Sequence, residues 1–264
     1  MKHLTIRLSR HVSLPRIYLL GMLLPLACLT AELPLNGQNR DLRDAVGNHG
    51  GAAIEAARTI DIRGTSTRSG GQSTAIRIRA TLDRLDASHR VDYGDPATRS
   101  VVTTSSGRFE IQGNDETPRS RHSGAFTQFD MLAGFGLRHY LAPGVTRTPQ
   151  GERSVGGRPS KIVRVETGRE IRTYGRMISD IVDIDIDLES GLVSAVSRTG
   201  YADQSLDRQF LSIHRFSDYR VVDGAIVPFR IERYTNGALM EVIVVDSIAL
   251  NAILPLNIFE RSRQ

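Results

Sequence analysis

From residue 59 onward the chain alternates between apolar and polar positions. In "TIDIRGT" Ile60 and Ile62 are separated by Asp61 and followed by Arg63. In "TAIRIRATL" Ile76, Ile78, Ala80 and Leu82 share one side, while Arg77 and Arg79 take the other. A period of two with one apolar side is the signature of a strand with one dry face and one wet face. "HRVDYGD", "SVVTTSSGRFEIQG", "SKIVRVETG" and "REIRTYG" continue the pattern, each ending in Gly or a polar turn. "DIVDIDIDLESGLVSAVSRTG" sets Val182, Ile184, Ile186 and Leu188 against Asp183, Asp185 and Asp187, then turns at Ser190-Gly191. Two further corners, Asp223-Gly224 and Asn236-Gly237, lie within "FSDYRVVDGAIVPFRIERYTNGALMEV". Asp-Gly and Asn-Gly tolerate the positive φ that a type I′ turn needs at both central positions, so three adjacent antiparallel strands are predicted there.

Two segments follow a helical period instead. Residues 39–58, "NRDLRDAVGNHGGAAIEAAR", read as two short helical pieces broken at Gly50-Gly51, the second rich in Ala, Glu and Arg. Residues 124–143, "GAFTQFDMLAGFGLRHYLAP", place Phe126, Phe129, Leu132, Ala133, Leu137 and Tyr140 at spacings of three and four, and Pro143-Gly144 ends the run. This predicts an apolar helix set between two groups of strands, available to cover a sheet. No fixed-period repeat, Pro/Ser-rich linker or low-complexity tract interrupts the chain, and a single domain over 32–264 is the economical reading.

The first 31 residues are set aside as a signal peptide. Lys2, Arg7, Arg10 and Arg16 precede "IYLLGMLLPLACLTA", a stretch of 15 residues that ends in small side chains. It is short for a membrane span and has the order of a secretory leader; the alternative is a short N-terminal anchor. Cleavage after Ala31 gives a periplasmic chain with no cysteine, whereas processing at "LPLAC" would leave an acylated Cys28 as a lipid anchor. Without the acyl group, contact with the membrane would be transient. In neither case can a disulfide form within the chain, so the domain depends on its core.

The leader also accounts for the basic balance. The formal net charge is +5, but four of the 34 basic residues and none of the 29 acidic ones lie in residues 1–31, which leaves 30 against 29. That near-neutral remainder removes the main support for nucleic acid as a partner.

Catalytic and metal chemistry find little footing. The strand alternation puts Asp183, Asp185 and Asp187 on one face, yet an EF-hand counted from Asp183 would need Gly and Glu where Leu188 and Ser194 stand. The triplet is read as the wet face of a half-buried strand. His49, His89, His122, His139 and His214 are scattered and form no His-x-x-x-His pair. No Gly-x-Ser-x-Gly elbow occurs, and "GERSVGGR" has Gly157 where a phosphate loop requires Lys. The expectation is a protein that is not an enzyme, with no catalytic residues, no metal and no cofactor.

In order, the segments are a leader, a helix with "HGG", "AAIEAARTIDIRGT", one-faced strands, an apolar helix, "DIDLESGLVSAV" and "FSDYRVVDGAIVPFRIE". This order resembles the LolA-like family of bacterial envelope proteins, related to the lipoprotein carrier LolA and its receptor LolB, over most of residues 41–260. The resemblance implies an α+β, mainly β fold: a strongly curved antiparallel sheet, an incomplete barrel, with helices covering its concave face. It implies a role in binding or carrying lipid or lipoprotein acyl chains in an apolar cavity; the alternative is a regulatory or scaffold module that binds other envelope proteins. Ile76, Ile78 and Leu82 from the sheet, with Phe126, Phe129, Leu132 and Leu137 from the helix, are the candidate lining of that cavity.

Overall fold

The computed structural model describes residues 35–82, 88–95, 97–104, 108–113, 115–119, 132–173, 176–202, 205–255 and 257–260. The chain divides into Met1–Leu33 and a compact unit, Pro34–Gln264, to which all of these residues belong. Its strands are β1 (Thr59–Arg68), β2 (Ser73–Thr81), β3 (His89–Tyr93), β4 (Arg99–Thr103), β5 (Arg108–Gln112) and β6 (Asp115–Arg119), followed by β7 (Thr146–Val155), β8 (Arg158–Thr173), β9 (Arg176–Asp187), β10 (Val193–Ala202), β11 (Ser205–Val222), β12 (Ala225–Thr235) and β13 (Ala238–Leu250). The described helices are α1 (Leu35–Asn48), α2 (Ala52–Ala56) and α3 (Ala133–Tyr140).

The strands form one antiparallel sheet in the order β6-β5-β4-β3-β2-β1-β13-β12-β11-β10-β9-β8-β7. Every neighbour is the next strand in sequence except β1 and β13, which pair from Ile60↔Leu250 to Arg68↔Glu241. Two meanders are thus joined through the first and last strands, and the sheet stays open between β6 and β7. Its architecture is an incomplete barrel, mainly β, with few helices.

The tight corners fall where the turn residues predict them. Asp223 and Gly224 have φ of 49° and 80°, and Asn236 and Gly237 have 49° and 83°, the sign a type I′ hairpin requires at both positions. Ser190-Gly191 turns β9 into β10, with Gly191 at φ 68°. Gly50-Gly51 separates α1 from α2. A Cβ on Gly50 would run into the carbonyl oxygen of Gly224, so the helical break is seated directly on the β11–β12 corner.

One side of the sheet carries the core. Ile60, Ile62, Ile76, Ile78, Val163, Val165, Ile184, Ile231 and Ile243 are at most 3% exposed and join Leu42, Ala45 and Ile54 from the helices in one cluster. The helix expected over 124–143 is described from Ala133 to Tyr140; residues 120–131, which include Phe126 and Phe129, lie outside the described residues. Arg138 on α3 donates from Nη1 to the carbonyls of Ile54 (3.1 Å) and Ala57 (2.9 Å), satisfying carbonyls that the end of α2 leaves open.

The opposite face departs from expectation at β9. Asp185 was expected on a wet face, but its side chain is fully buried. Arg153, from β7, lies across it in a two-pronged ion pair and also donates to Ser197 Oγ at 3.1 Å. Asp183 is held by Arg164 (2.8 and 2.9 Å) and Asp187 by Arg158 (2.9 Å). Alternation places these carboxylates away from the core, and a neighbouring arginine then removes Asp185 from water.

Candidate functional site

Strand register decides what faces inward. Ile76, Ile78 and Ala80 of β2 pair with Tyr93, Val91 and His89 of β3. Those pair with Arg99, Val101 and Thr103 of β4, which pair in turn with Gln112, Glu110 and Arg108 of β5. Directly paired residues lie on the same side of a sheet. Three rows therefore run across the inner face from the isoleucine core toward β6, and each ends on a polar residue at β5. One row reads Ile62, Ile78, Val91, Val101, Glu110; the next reads Gly64, Ile76, Tyr93, Arg99, Gln112.

At the polar end of these rows lies a cavity of about 550 Å³. Val91, Tyr93 and Val101 form its apolar wall, and Arg99, Arg108 and Glu110 stand beside them. Met240 and Arg233 enter from the β12–β13 hairpin, and Arg68 from the end of β1. Two guanidinium groups stand over the Tyr93 ring, with the Arg68 carbon 5.3 Å and the Arg99 carbon 5.1 Å from its centroid. Burial, reinforced by the nearby charge of Glu241, pushes the Tyr93 phenol up to about 12, so the ring stays neutral. Arg99 is ion-paired with Glu110. Arg233 meets Glu241 at 3.2 Å, and this carboxylate, 2% exposed, also accepts from Ser66. Deeper on this face His214 is fully buried; burial and the facing charges of Arg233 and Arg198 hold its imidazole down to about 3, and it is neutral.

A second cavity of about 410 Å³ has among its lining residues Arg158, Arg215, Asp187, Asp218 and Glu232. Its charged groups of both signs nearly balance, and Val155, Leu192, Val193, Phe216 and Tyr219 give it an apolar side of its own.

Of the residues expected to line an apolar cavity, Ile76, Ile78, Leu82, Leu132 and Leu137 are 3, 0, 1, 3 and 1% exposed and belong to the contiguous core. None of the five borders either cavity. Ile76 and Ile78 are nevertheless the direct strand partners of Tyr93 and Val91 in the larger cavity's wall. Phe126 and Phe129 lie outside the described residues. Tyr93, Arg99, Arg108 and Arg233 were not singled out from the sequence. For Tyr93, Arg99 and Arg108 the signal was present as every second residue of "HRVDYGD", "RSVVT" and "RFEIQ", and for Arg233 as every second residue of "FRIERYT", but only the pairing register assigns those residues to the inner face. Among the described residues no group of three His, Cys, Asp or Glu side chains is placed to hold a metal ion.

An open antiparallel sheet with short helices on its inner face and a cavity at one end is the LolA-like fold. Three solved structures share it over 85% of this chain. A DUF1329-family protein from Desulfovibrio piger has a TM-score of 0.54 at 12% identity, with 98% of its own chain covered. A domain ascribed to an outer-membrane lipoprotein-sorting protein from Vibrio parahaemolyticus has 0.53 at 8% identity and 97% coverage. A LolA-superfamily protein from Nitrosomonas europaea has 0.51 at 10% identity and 97% coverage. No protein-family model and no curated protein matches the sequence.

Proposed function

We propose that the protein is an exported component of the bacterial cell envelope that shelters the acyl chain of a lipid or lipoprotein on the inner face of its sheet. The observation that carries this reading is the cavity of about 550 Å³ with Val91, Tyr93 and Val101 in its wall, continuous in register with the isoleucine core. That volume falls in the range of ordinary ligand sites. The lipoprotein-sorting role ascribed to the Vibrio parahaemolyticus domain supports the same class of guest. The guest enters at the polar end, and its chain runs toward Ile76, Ile78 and Leu82, loosening the core cluster that they share with Leu132 and Leu137. Each methylene removed from water contributes about 0.8 kcal/mol, so a chain of roughly ten methylenes offsets several kcal/mol of ordering and repacking. The role is one of binding, with no catalytic step.

Mass spectrometry of solvent extracts from natively purified protein is expected to find a lipid, and a fluorescent fatty acid is expected to bind and be displaced by it. Blank extracts together with no binding of the probe would end this reading. Intact mass of the exported protein distinguishes a periplasmic chain beginning at Glu32 from one anchored through an acylated Cys28.

A second reading, a scaffold that binds envelope proteins, draws on the open strands β6 and β7, whose outer edges pair with no strand among the described residues. Capture of an envelope protein that survives blocking of the cavity would favour it.

A further inference from the structure

We infer that the segment which leaves β13 at Asn251 and reaches Ile258 is a strap: it holds β3–β6 against the rest of the sheet and so sets how far the larger cavity opens. This rests on the acyl-binding reading above and adds to it the contact that governs entry of the guest.

The sheet by itself gives β3–β6 a narrow attachment. They join the other strands through β2 and β3, five residue pairs from Ile76↔Tyr93 to Ala80↔His89, and β6 pairs only with β5 among the described residues. Their inner face supplies Val91, Tyr93 and Val101 to the cavity, whereas Arg233 and Met240 come from β12 and β13. The width of the cavity is therefore the separation of these two groups of strands.

A second attachment runs on the outer face. Asn251, at φ 54°, turns the chain out of β13 and fixes it beside β1. Its N–H donates to the Thr59 carbonyl and its Oδ1 accepts the Arg58 N–H, both at 2.8 Å, while Thr59 Oγ1 donates to the Ala252 carbonyl at 2.6 Å. The far end is held on β3. Arg90 alternates with His89 and Val91 of the inner face, so it lies on the outer one, paired with Arg79 and Val102. Its guanidinium donates to Asp92 (2.7 Å), to Ser100 of β4 (3.0 Å) and to the Ile258 carbonyl (3.4 Å). One arginine thus ties β3, β4 and the segment together.

Ile258 is buried, although it belongs to no strand or helix and lies outside the main core cluster. Val102 and Phe109, paired with each other in the same outer row as Arg90, are also buried outside that cluster. The strands of the cavity wall therefore carry apolar groups of their own on the outer side, and Ile258 is brought to that side. Between the two fixed ends Ile253 is fully exposed. A hold made of one isoleucine and one arginine can be released without breaking a strand ladder. Burial of one such side chain is enough to bias an opening equilibrium tenfold or more.

The test combines amide hydrogen exchange with stopped-flow binding of a fluorescent fatty acid, on natively purified, delipidated protein. It compares the parent with Ile258→Asp, with Ile258→Ala as a milder change and with Ile253→Asp as the control. Ile258→Asp is expected to speed exchange in β3 and β4 about tenfold or more while leaving β12 unchanged. It should also raise both the association and the dissociation rate of the probe severalfold. Ile258→Ala should give smaller changes in the same direction, and Ile253→Asp none. Unchanged exchange in β3 and β4 for both Ile258 variants would overturn the strap. Faster exchange there with unchanged probe rates would overturn its control of the cavity. Faster exchange throughout the sheet in both variants would make Ile258 a general core contact, and equal effects from Ile253→Asp would remove the special role of the buried end; either result overturns the inference. If the parent itself binds no probe, the acyl-binding reading and the control of entry fall together, whereas the exchange measurement still decides the strap.

Discussion

His49 Nε2 accepts the backbone N–H of Val193 at 3.1 Å, joining the end of α1 to the first residue of β10 across 144 positions of sequence. The other ring nitrogen, Nδ1, lies 2.8 Å from the carbonyl of Ile226, to which it donates, and the two contacts together define one neutral tautomer. The Tyr219 ring meets the imidazole edge-on at 5.5 Å, and its hydroxyl donates to the carbonyl of the same Val193. Gly134 of α3 lies against the other side, where a Cβ would approach the imidazole Cγ to 2.6 Å. One side chain thus fastens α1 to β10 and β12 and limits how closely α3 can approach. His49→Ala leaves the Val193 amide and the Ile226 carbonyl buried without these partners, at a cost of about 2–4 kcal/mol. Urea unfolding of the variant is expected to show that loss, with the slope of the transition unchanged.

Acid should weaken the fold through two histidines. Burial lowers the pKa of His49, partly offset by its bond to Ile226, and His214 is held down to about 3 by burial and by Arg233 and Arg198. In the unfolded chain both imidazoles titrate near 6.5, so below that pH the unfolded state binds more protons than the folded one. Stability is complete above 6.5 and is lost as pH falls from there toward the depressed folded values. Each histidine contributes a slope of at most about 1.4 kcal/mol per pH unit in that window. Denaturant midpoints measured from pH 8 to pH 4 should fall. His214→Asn should flatten the curve, and an unchanged slope in that variant would show that other groups set the acid limit.

Much of this architecture was legible in the sequence because it depends on local rules. The Asp223-Gly224 and Asn236-Gly237 corners, the helical break at Gly50-Gly51 and the alternation of β1 and β2 follow from φ preferences and a period of two. What stayed hidden depends on which strands become neighbours. The alternation of Asp183, Asp185 and Asp187 correctly places them on one side, but only the return of β7 next to β8 brings Arg153 over Asp185 and seals it. Likewise Arg99 and Arg108 resemble surface arginines until register places them in line with Tyr93 and Ala80 on the inner face. His49 had one local signal, its place just before Gly50-Gly51, yet its partners are 144 and 177 residues away.

The Arg153–Asp185 pair yields a prediction of its own. Burial raises the pKa of the Asp185 carboxyl, and Arg153 opposes that rise by hydrogen bond and charge. Arg153→Leu removes the opposition and strands a fully buried carboxylate, which should cost about 2–3 kcal/mol near neutral pH. That is below the value for a sealed pair because the arginine is 37% exposed. The loss should diminish at low pH, where Asp185 can protonate. Pairing Arg153→Leu with Asp185→Val should recover most of the stability, since a removed pair leaves no buried charge. A double-mutant cycle in urea measures the coupling, and strict additivity would show the contact to be incidental.

Whether the inner face has spare room can be read from the sign of a stability change. Val101 borders the cavity and is 6% exposed, whereas Val165 of β8 is fully buried in the core. Val165→Trp forces a larger group into filled space and should destabilise the protein by about 1–3 kcal/mol or more. Val101→Trp has the cavity to expand into, so its melting temperature should stay level or rise. The same indole occupies volume that a guest would use. Excluding about two methylenes, at roughly 0.8 kcal/mol each, should weaken a fluorescent fatty-acid probe about tenfold. Retained stability with lost binding is therefore the result expected of a hollow. If Val101→Trp instead destabilises as much as Val165→Trp, the space beside Tyr93 is not available in solution. An acyl chain would then have to be accommodated elsewhere on the sheet.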